Sequence, residues 1–155
     1  MKITEILAVY GAVLSSLTFL WTVARAKPSV KVDLLYGIEG TASGVCVIVR
    51  NKSAHPVRLI AISLLYERRK RTMRQRVWQA LRYRDFSRYL GWVSWSPILA
   101  GLDTGCPVTI EPNDAYRFLV PLELAEKLIA KSSSNCIAAS VQDALWNNYY
   151  SDRYS

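Results

Sequence analysis

The stretch VIVRNKSAHPVRLIAISL, residues 47–64, decides the fold, because two runs of alternating apolar residues meet in it at a turn. Before the turn, Val45, Val47 and Val49 alternate with Cys46 and Ile48, and NKSAHP has the Asn and Pro chemistry of a tight connection. After the turn, alternate apolar residues are predicted to share one face: Ile60, Ile62, Leu64 and Tyr66. A period of two is typical of strands that bury one face. The stretch therefore predicts two consecutive β-strands.

The same alternation continues on both sides of this stretch. Upstream, alternate residues are apolar at Val30, Val32, Leu34 and Tyr36. Downstream, residues 107–122 predict two strands that meet at the turn EPND, and residues 136–151 predict a final hairpin that turns near residues 145–147. ELAEKLIAK, residues 123–131, instead predicts a short helix that crosses between two sheets. About seven short strands joined by turns predict a mainly β fold, an antiparallel β-sandwich.

Residues 47–64 resemble the second and third strands of immunoglobulin-like sandwich domains, in which an Asn/Pro turn joins two inward-alternating strands. The pattern of the whole chain is similar to that of small, uncharacterised single-pass membrane proteins of bacteria or their phages. It departs from antibody-like domains, since no Trp falls in the third strand and Ser134 stands two residues before Cys136. Cys46 and Cys136 are predicted to point away from the core, so no disulfide is expected.

The N-terminal residues predict a membrane anchor. Residues 6–24 contain no charged side chain, and a helix of 19 residues spans about 30 Å, the thickness of the hydrocarbon core. Trp21 lies near one end, where an interfacial aromatic residue is expected. The alternative is a cleaved signal peptide with the site Ala24-Arg25-Ala26, which the length of the apolar run and Arg25 disfavour. Residues 1–26 are therefore predicted to be a transmembrane anchor, and residues 27–155 the sandwich domain.

The flanks of this segment predict its orientation. Lys2 is the basic side chain before it, whereas Arg25, Lys27 and Lys31 follow it. The positive-inside rule therefore predicts an inner (plasma) membrane protein whose C-terminal domain is cytoplasmic. Small residues recur at helical spacing at Ala8, Ala12 and Ser16, and they suggest self-association through this helix as a hypothesis.

The net charge of +8 is concentrated in one segment. Residues 68–88 contain nine basic residues and one acid, Asp85, whereas the rest of the chain has 11 of each sign. Met73, Val77, Ala80 and Leu81 predict one amphipathic helical piece, and a second piece is predicted after a break near residues 83–85. Together with the tryptophans that follow, residues 67–96 are predicted to form an insertion between strands, and long insertions are usually functional or disordered.

The insertion (residues 67–96) is predicted to be the interaction element, although a solvated helical pair that covers the sandwich is the plainer alternative. The residues predicted to contact phosphate or acidic groups are Arg68, Arg69, Lys70, Arg71, Arg74, Arg76, Arg82, Arg84 and Arg88. The predicted apolar anchors are Trp78, Trp92 and Trp95. Anionic lipid of the inner membrane surface is the first predicted partner, an acidic protein is the alternative, and nucleic acid ranks third.

The sequence contains no recognisable catalytic constellation. The single histidine, His55, precedes a proline in a predicted turn, and three scattered cysteines do not have zinc-ligand spacing. No nucleotide-binding glycine motif is present, since GIEGTASG has the wrong spacing. We therefore predict a non-enzymatic binding or scaffolding protein without a metal or cofactor.

Overall fold

The computed structural model describes residues 3–26, 28–69, 72, 75, 77, 78, 81, 82, 89 and 91–155, with the backbone alone for residues 5, 6 and 24–26. The helices whose full extent the structure describes are α1 (Ile3–Ala26) and α2 (Leu122–Lys131), together with a 3-10 helix at Pro97–Ala100. The strands of the described part of the chain are β1 (Val30–Glu39), β2 (Ala42–Asn51), β3 (Val57–Tyr66), β4 (Val93–Trp95), β5 (Val108–Ile110), β6 (Ala115–Pro121), β7 (Ile137–Asp143) and β8 (Asn148–Tyr150).

The described strands form two antiparallel sheets. The first sheet has three strands in the order β1-β2-β6, and the second has five, in the order β4-β3-β7-β8 with β5 also paired to β3. Because β5 pairs with the start of β3 and β4 with its end, two short strands share one edge of β3. The prediction of a mainly β, sandwich-like fold is confirmed.

The core lies between the two sheets. Its fully buried residues include Val45, Val47 and Val49 of β2 and Leu59 and Leu64 of β3. Apolar residues of α2 close one end of this core, since Ala125 and Leu128 belong to the same buried cluster. The inward alternation predicted for β2 is therefore confirmed.

One sequence prediction about the strands is wrong. The register between β3 and β7 shifts between Leu59 and Ala61, and this β-bulge leaves Ile60 exposed while Ile62 and Leu64 stay buried. The two strands predicted in residues 107–122 are confirmed as β5 and β6. Because β5 pairs with β3 and β6 pairs with β2, the turn between them crosses from one sheet to the other.

The helix and the last hairpin agree with the sequence. Residues 123–131 lie in α2, which leads from β6 in the first sheet to β7 in the second. β7 pairs with β8, and Trp146 occupies the turn between them with a φ of 65°. The predicted crossing helix and the predicted hairpin are confirmed.

The connection between β2 and β3 fixes one end of the sandwich. Val30 is paired with Asn51, and the Asn51 amide donates to the carbonyl of Ile110, which is itself paired with Val57. We call this end, with Val30, Asn51 and Val57, the linker end. We call the opposite end, where β3 finishes at Tyr66, the insertion end. Ten residues of β3 separate the two ends by about 30 Å.

The described side chains of α1 are exposed, including Phe19, Leu20 and Trp21. Its hydroxyl groups bond back to the preceding turn of the helix, as Thr18 Oγ1 does to the Leu14 carbonyl at 2.8 Å. Among the residues that the structure describes, no helix combines the length and the apolarity needed to cross a membrane.

Candidate functional site

The insertion starts at the insertion end, directly after β3. The Glu67 carbonyl accepts hydrogen bonds from the backbone N–H and the hydroxyl of Ser133, at 2.7 and 3.0 Å. Glu67 is buried, whereas Arg68 and Arg69 are exposed and have no ion-pair partner among the described residues. The loop after α2 thus fixes the point at which the first two arginines leave the sandwich.

A short helical part follows. The Thr72 N–H donates to the Gln75 side chain at 3.2 Å, and a Thr-x-x-Gln spacing is typical of a helix start. The backbone is helical at residues 75, 77, 78, 81 and 82. The side chains of Val77, Trp78 and Leu81 are all exposed, Trp78 by 58%. These three side chains therefore do not pack on the sandwich.

Arginine lies beside this apolar face. The Arg82 guanidinium is 4.9 Å from the centre of the Trp78 ring, within the range of a cation–π contact. The other basic residues predicted for the site, Lys70, Arg71, Arg74, Arg76, Arg84 and Arg88, lie outside the described residues, as does the predicted helix break at residues 83–85. Of the nine basic side chains, the structure thus places Arg68, Arg69 and Arg82 on the surface.

The insertion returns to the sandwich through Tyr89, which was not among the predicted site residues. The Tyr89 ring is buried against Leu65 and Ala138, and its hydroxyl donates to the Ser151 carbonyl at 2.6 Å. Ser151 follows β8, so this bond ties the insertion to the C-terminal part of the chain. A tyrosine among arginines carries no sequence signal for such a role.

The remaining two predicted tryptophans belong to the body of the domain. Trp95 lies in β4 opposite Leu64 and packs against the main core. Trp92 is half-buried, with its ring edge-on to Tyr89 at 4.9 Å and the Arg153 guanidinium 5.4 Å from its centre. Within the described residues, Trp92 Nε1 has no hydrogen-bond partner. Of the three predicted anchors, Trp78 is the exposed one, and the anchoring role stays a prediction.

A cavity of about 360 Å³ lies on the outer face of the second sheet, beside the end of the insertion. Its described aromatic lining is Tyr89, Trp92 and Tyr150, and its polar lining is Ser63, Ser94, Ser140, Gln142 and Asn148. None of the described lining residues is charged. The cavity can therefore hold an uncharged group that has both apolar and hydrogen-bonding atoms.

Within the described part of the chain, the histidine and the cysteines do not converge on one site. His55 is exposed in the turn between β2 and β3, and the cysteines Cys46, Cys106 and Cys136 are free and half-buried. Burial raises the pKa of the Cys46 and Cys106 thiols, which disfavours the reactive thiolate. Within the described residues no group of His, Cys, Asp or Glu could hold a metal ion.

A buried carboxylate organises the turn between β7 and β8. Asp143 Oδ1 accepts from the backbone N–H groups of Leu145 and Asn147, and Oδ2 accepts from the Asn147 amide and the Tyr149 hydroxyl, all at 2.8–2.9 Å. Burial acts to raise the pKa of Asp143, but these hydrogen bonds outweigh it and lower the pKa below the ordinary value. Burial and the bond to Asp143 raise the pKa of Tyr149 to about 12.

Comparisons with known proteins add no assignment, since no protein-family model matches the chain and no curated protein matches it significantly.

Proposed function

We propose that this protein is a membrane-anchored, non-enzymatic adaptor that docks an acidic partner protein through its insertion. The observation that carries the proposal is the exposed apolar face of Val77, Trp78 and Leu81 with Arg82 stacked beside it. A surface that combines apolar contacts with arginine suits a partner with a groove and an acidic rim. The many arginines of the insertion add bidentate contacts to carboxylates.

The anchor is supported by the chemistry of α1. Residues 6–24 form an uncharged run of 19 residues within α1. The hydroxyls of Ser16, Thr18 and Thr22 bond to carbonyls four residues earlier, which satisfies them without water. The basic residues after the run favour an inner-membrane protein with a cytoplasmic domain. Self-association through α1 remains a separate prediction.

The strand order supports an immunoglobulin-like classification of the sandwich. The sheet β1-β2-β6 corresponds to strands A, B and E of such domains, and β3-β7-β8 corresponds to C, F and G with β4 as an added edge strand. β2 and β3 lie in different sheets, as the second and third strands of these domains do. Domains of this type commonly present binding elements at the ends of the sandwich.

The position of the insertion favours a protein partner over the membrane. The chain enters the sandwich from α1 at the linker end, and the insertion leaves it at the other end of β3, about 30 Å away. Electrostatic attraction to anionic lipid falls off over a Debye length of about 8 Å at physiological salt. An upright domain would therefore hold Arg68 and Arg69 beyond the reach of the membrane surface.

Anionic lipid is the second candidate, and the helical part of the insertion supports it. An exposed apolar face next to basic residues is typical of helices that lie in the membrane interface. For this contact the sandwich would have to lie flat on the bilayer. Nucleic acid, the third predicted partner, has the support of the basic charge and of Trp78 as a stacking surface.

The test uses the full chain in nanodiscs of neutral lipid, titrated with a polyglutamate peptide, a single-stranded DNA and anionic vesicles at several salt concentrations. The proposal expects binding of polyglutamate that weakens with salt, and loss of most of it in a variant with Arg68, Arg69 and Lys70 changed to Ser. A matched control changes Lys31, Arg50 and Arg117, which are exposed on the first sheet and carry the same charge.

The outcomes separate the candidates. Strong binding of anionic vesicles with no binding of polyglutamate would favour the lipid candidate, and a preference for DNA would favour the third. Equal losses in the test and control variants would show that net charge, and not the insertion, carries the binding, and would contradict the proposal.

A further inference from the structure

The turn between β7 and β8 exposes two large apolar side chains. Leu145 is 73% exposed and Trp146 is 75% exposed, at the tip of a hairpin whose other turn residues, Ala144 and Asn147, are also exposed. Single exposed apolar residues are common on protein surfaces, but an adjacent Leu-Trp pair at a protruding tip is unusual. We call residues 144–147 the tip.

The tip has a fixed shape. Asp143 accepts hydrogen bonds from the backbone on both sides of Trp146, at Leu145 and at Asn147. Trp146 itself has a φ of 65°, a conformation that bulky residues rarely adopt. Because a buried carboxylate holds this backbone, the two side chains are displayed and do not fold back onto the sandwich.

The tip lies at the linker end. The Ala144 N–H donates to the Arg58 carbonyl at 2.9 Å, one residue from the start of β3. β1, which enters the sandwich at this end, contacts both β7 and β8. α1 ends at Ala26 and β1 begins at Val30, so residues 27–29 can separate the two by no more than about 14 Å. The tip is thus on the side of the domain that the chain holds close to α1.

We propose that the tip inserts into the interfacial layer of the membrane that holds α1, a proposal that rests on the membrane anchor of the proposed function. Tryptophan favours this layer, where its ring is buried among acyl chains and its N–H stays hydrated. The tip is uncharged, and the linker end carries exposed residues of both signs: Lys52 and Arg58, and Glu111 and Asp114 on the turn between β5 and β6.

The contact is therefore apolar and not electrostatic. Its strength does not depend on anionic lipid or on salt, unlike binding through the insertion. Two points of attachment, the linker and the tip, hold the sandwich upright and direct the insertion away from the bilayer. The tip thus sets the orientation that presents the insertion to a cytoplasmic partner.

Trp146 fluorescence in the full chain tests the proposal. The chain is reconstituted into vesicles whose lipids carry bromine on the acyl chains, which quench tryptophans at the depth of the interface. The emission of each tryptophan is obtained by difference between the wild type and the variants Trp146→Phe, Trp78→Phe and Trp21→Phe. The control is Trp78, which is similarly exposed but belongs to the insertion.

The proposal expects several-fold stronger quenching of the Trp146 component than of the Trp78 component, with the same result in neutral and anionic vesicles. Strong quenching of Trp21 with none of Trp146 would overturn the tip proposal and leave the anchor intact. Protection of Trp146 from an aqueous quencher without quenching by bromolipid would overturn it in favour of a protein contact, such as a second copy. Failure of the chain to float with the vesicles would overturn the anchor and the tip together.

Discussion

Replacing Asn51 with Ala tests the connection that defines the linker end. Asn51 is 1% exposed, and it is the last residue of β2, directly before the turn to β3. Its amide nitrogen donates to the carbonyls of His55, Ile110 and Glu111 at 2.8, 3.0 and 3.2 Å. Its side-chain oxygen accepts from the N–H and the hydroxyl of Ser53 at 3.0 and 2.5 Å. One side chain thus joins the turn between β2 and β3 to the end of β5.

The magnitude follows from the groups that lose a partner. In Asn51→Ala the buried Ile110 carbonyl loses this donor, and the buried Ser53 N–H loses its acceptor. Each such loss costs about 1–3 kcal/mol. The His55 carbonyl keeps the Ser53 hydroxyl at 2.7 Å, and the exposed Glu111 can bond to water. We expect Asn51→Ala to lower the free energy of unfolding by about 4 kcal/mol, a large share of the 5–15 kcal/mol typical of domains.

Denaturant unfolding of the full chain in detergent micelles, followed by circular dichroism of the β-structure, measures this free energy. Lys52→Ala is the matched control, since its side chain is exposed in the same turn and the change should stay within about 0.5 kcal/mol. Ser53→Ala, which removes one hydroxyl, should cost about 1 kcal/mol. If Asn51→Ala costs no more than Lys52→Ala, the side chain does not hold the two turns together and the reasoning is refuted.

Four further substitutions test other parts of the fold by the same unfolding measurement. Asp143→Ala should cost about 3 kcal/mol, and because hydrogen bonds lower the pKa of Asp143, its contribution should fade as the pH falls below about 4. The contribution of the Tyr149 hydroxyl should instead be lost between pH 10 and about 12, since its pKa is raised, and Tyr149→Phe should abolish that alkaline loss. Gly44→Ala should cost more than about 3 kcal/mol, because its Cβ would collide with the Val120 carbonyl. Tyr89→Phe should cost about 1 kcal/mol and make the insertion more sensitive to proteolysis, and unchanged proteolysis would contradict its role.

The period of two in the sequence carried enough information for the main architecture. Val45, Val47 and Val49 are buried as predicted, because an antiparallel strand that covers a core on one side leaves no other face for them. The helical spacing of Leu124 and Leu128 likewise predicted α2, since Leu128 packs into the core and Leu124 against it.

The alternation of apolar residues did not specify two features of the strands. A β-bulge beside Leu59 shifts the following residues by one position, so that the faces on which alternate side chains lie are exchanged. The neighbouring residues in the sequence give no sign that Ile60 is exposed and Ile62 is buried. The partners of β5 and β6 depend on contacts with strands far away in the chain, which alternation does not specify. A turn with Asn and Pro therefore predicted a change of direction but not a change of sheet.

The charge of the candidate site could be predicted from the sequence, but the contacts that hold it on the sandwich could not. The basic residues of the insertion are visible in the sequence because charge needs no tertiary context. The hydrogen bond from Tyr89 to Ser151 joins residues 62 positions apart, and local spacing does not specify such a partner. Leu145 and Trp146 were assigned to a turn, but their exposure follows from the hydrogen bonds of the buried Asp143, which no local pattern specifies.

The central claim is that the insertion projects from the end of the sandwich that lies away from the membrane. To test it, a nitroxide is attached to Lys52→Cys or to Arg68→Cys in full chains whose native cysteines are replaced. The chains are reconstituted into vesicles with gadolinium chelated to the headgroups, and the relaxation of the nitroxide by gadolinium is measured. The account predicts strong relaxation at position 52 and weak relaxation at position 68, which lies about 30 Å further from the bilayer. Equal relaxation at the two positions would mean that the sandwich lies flat, and would contradict the account.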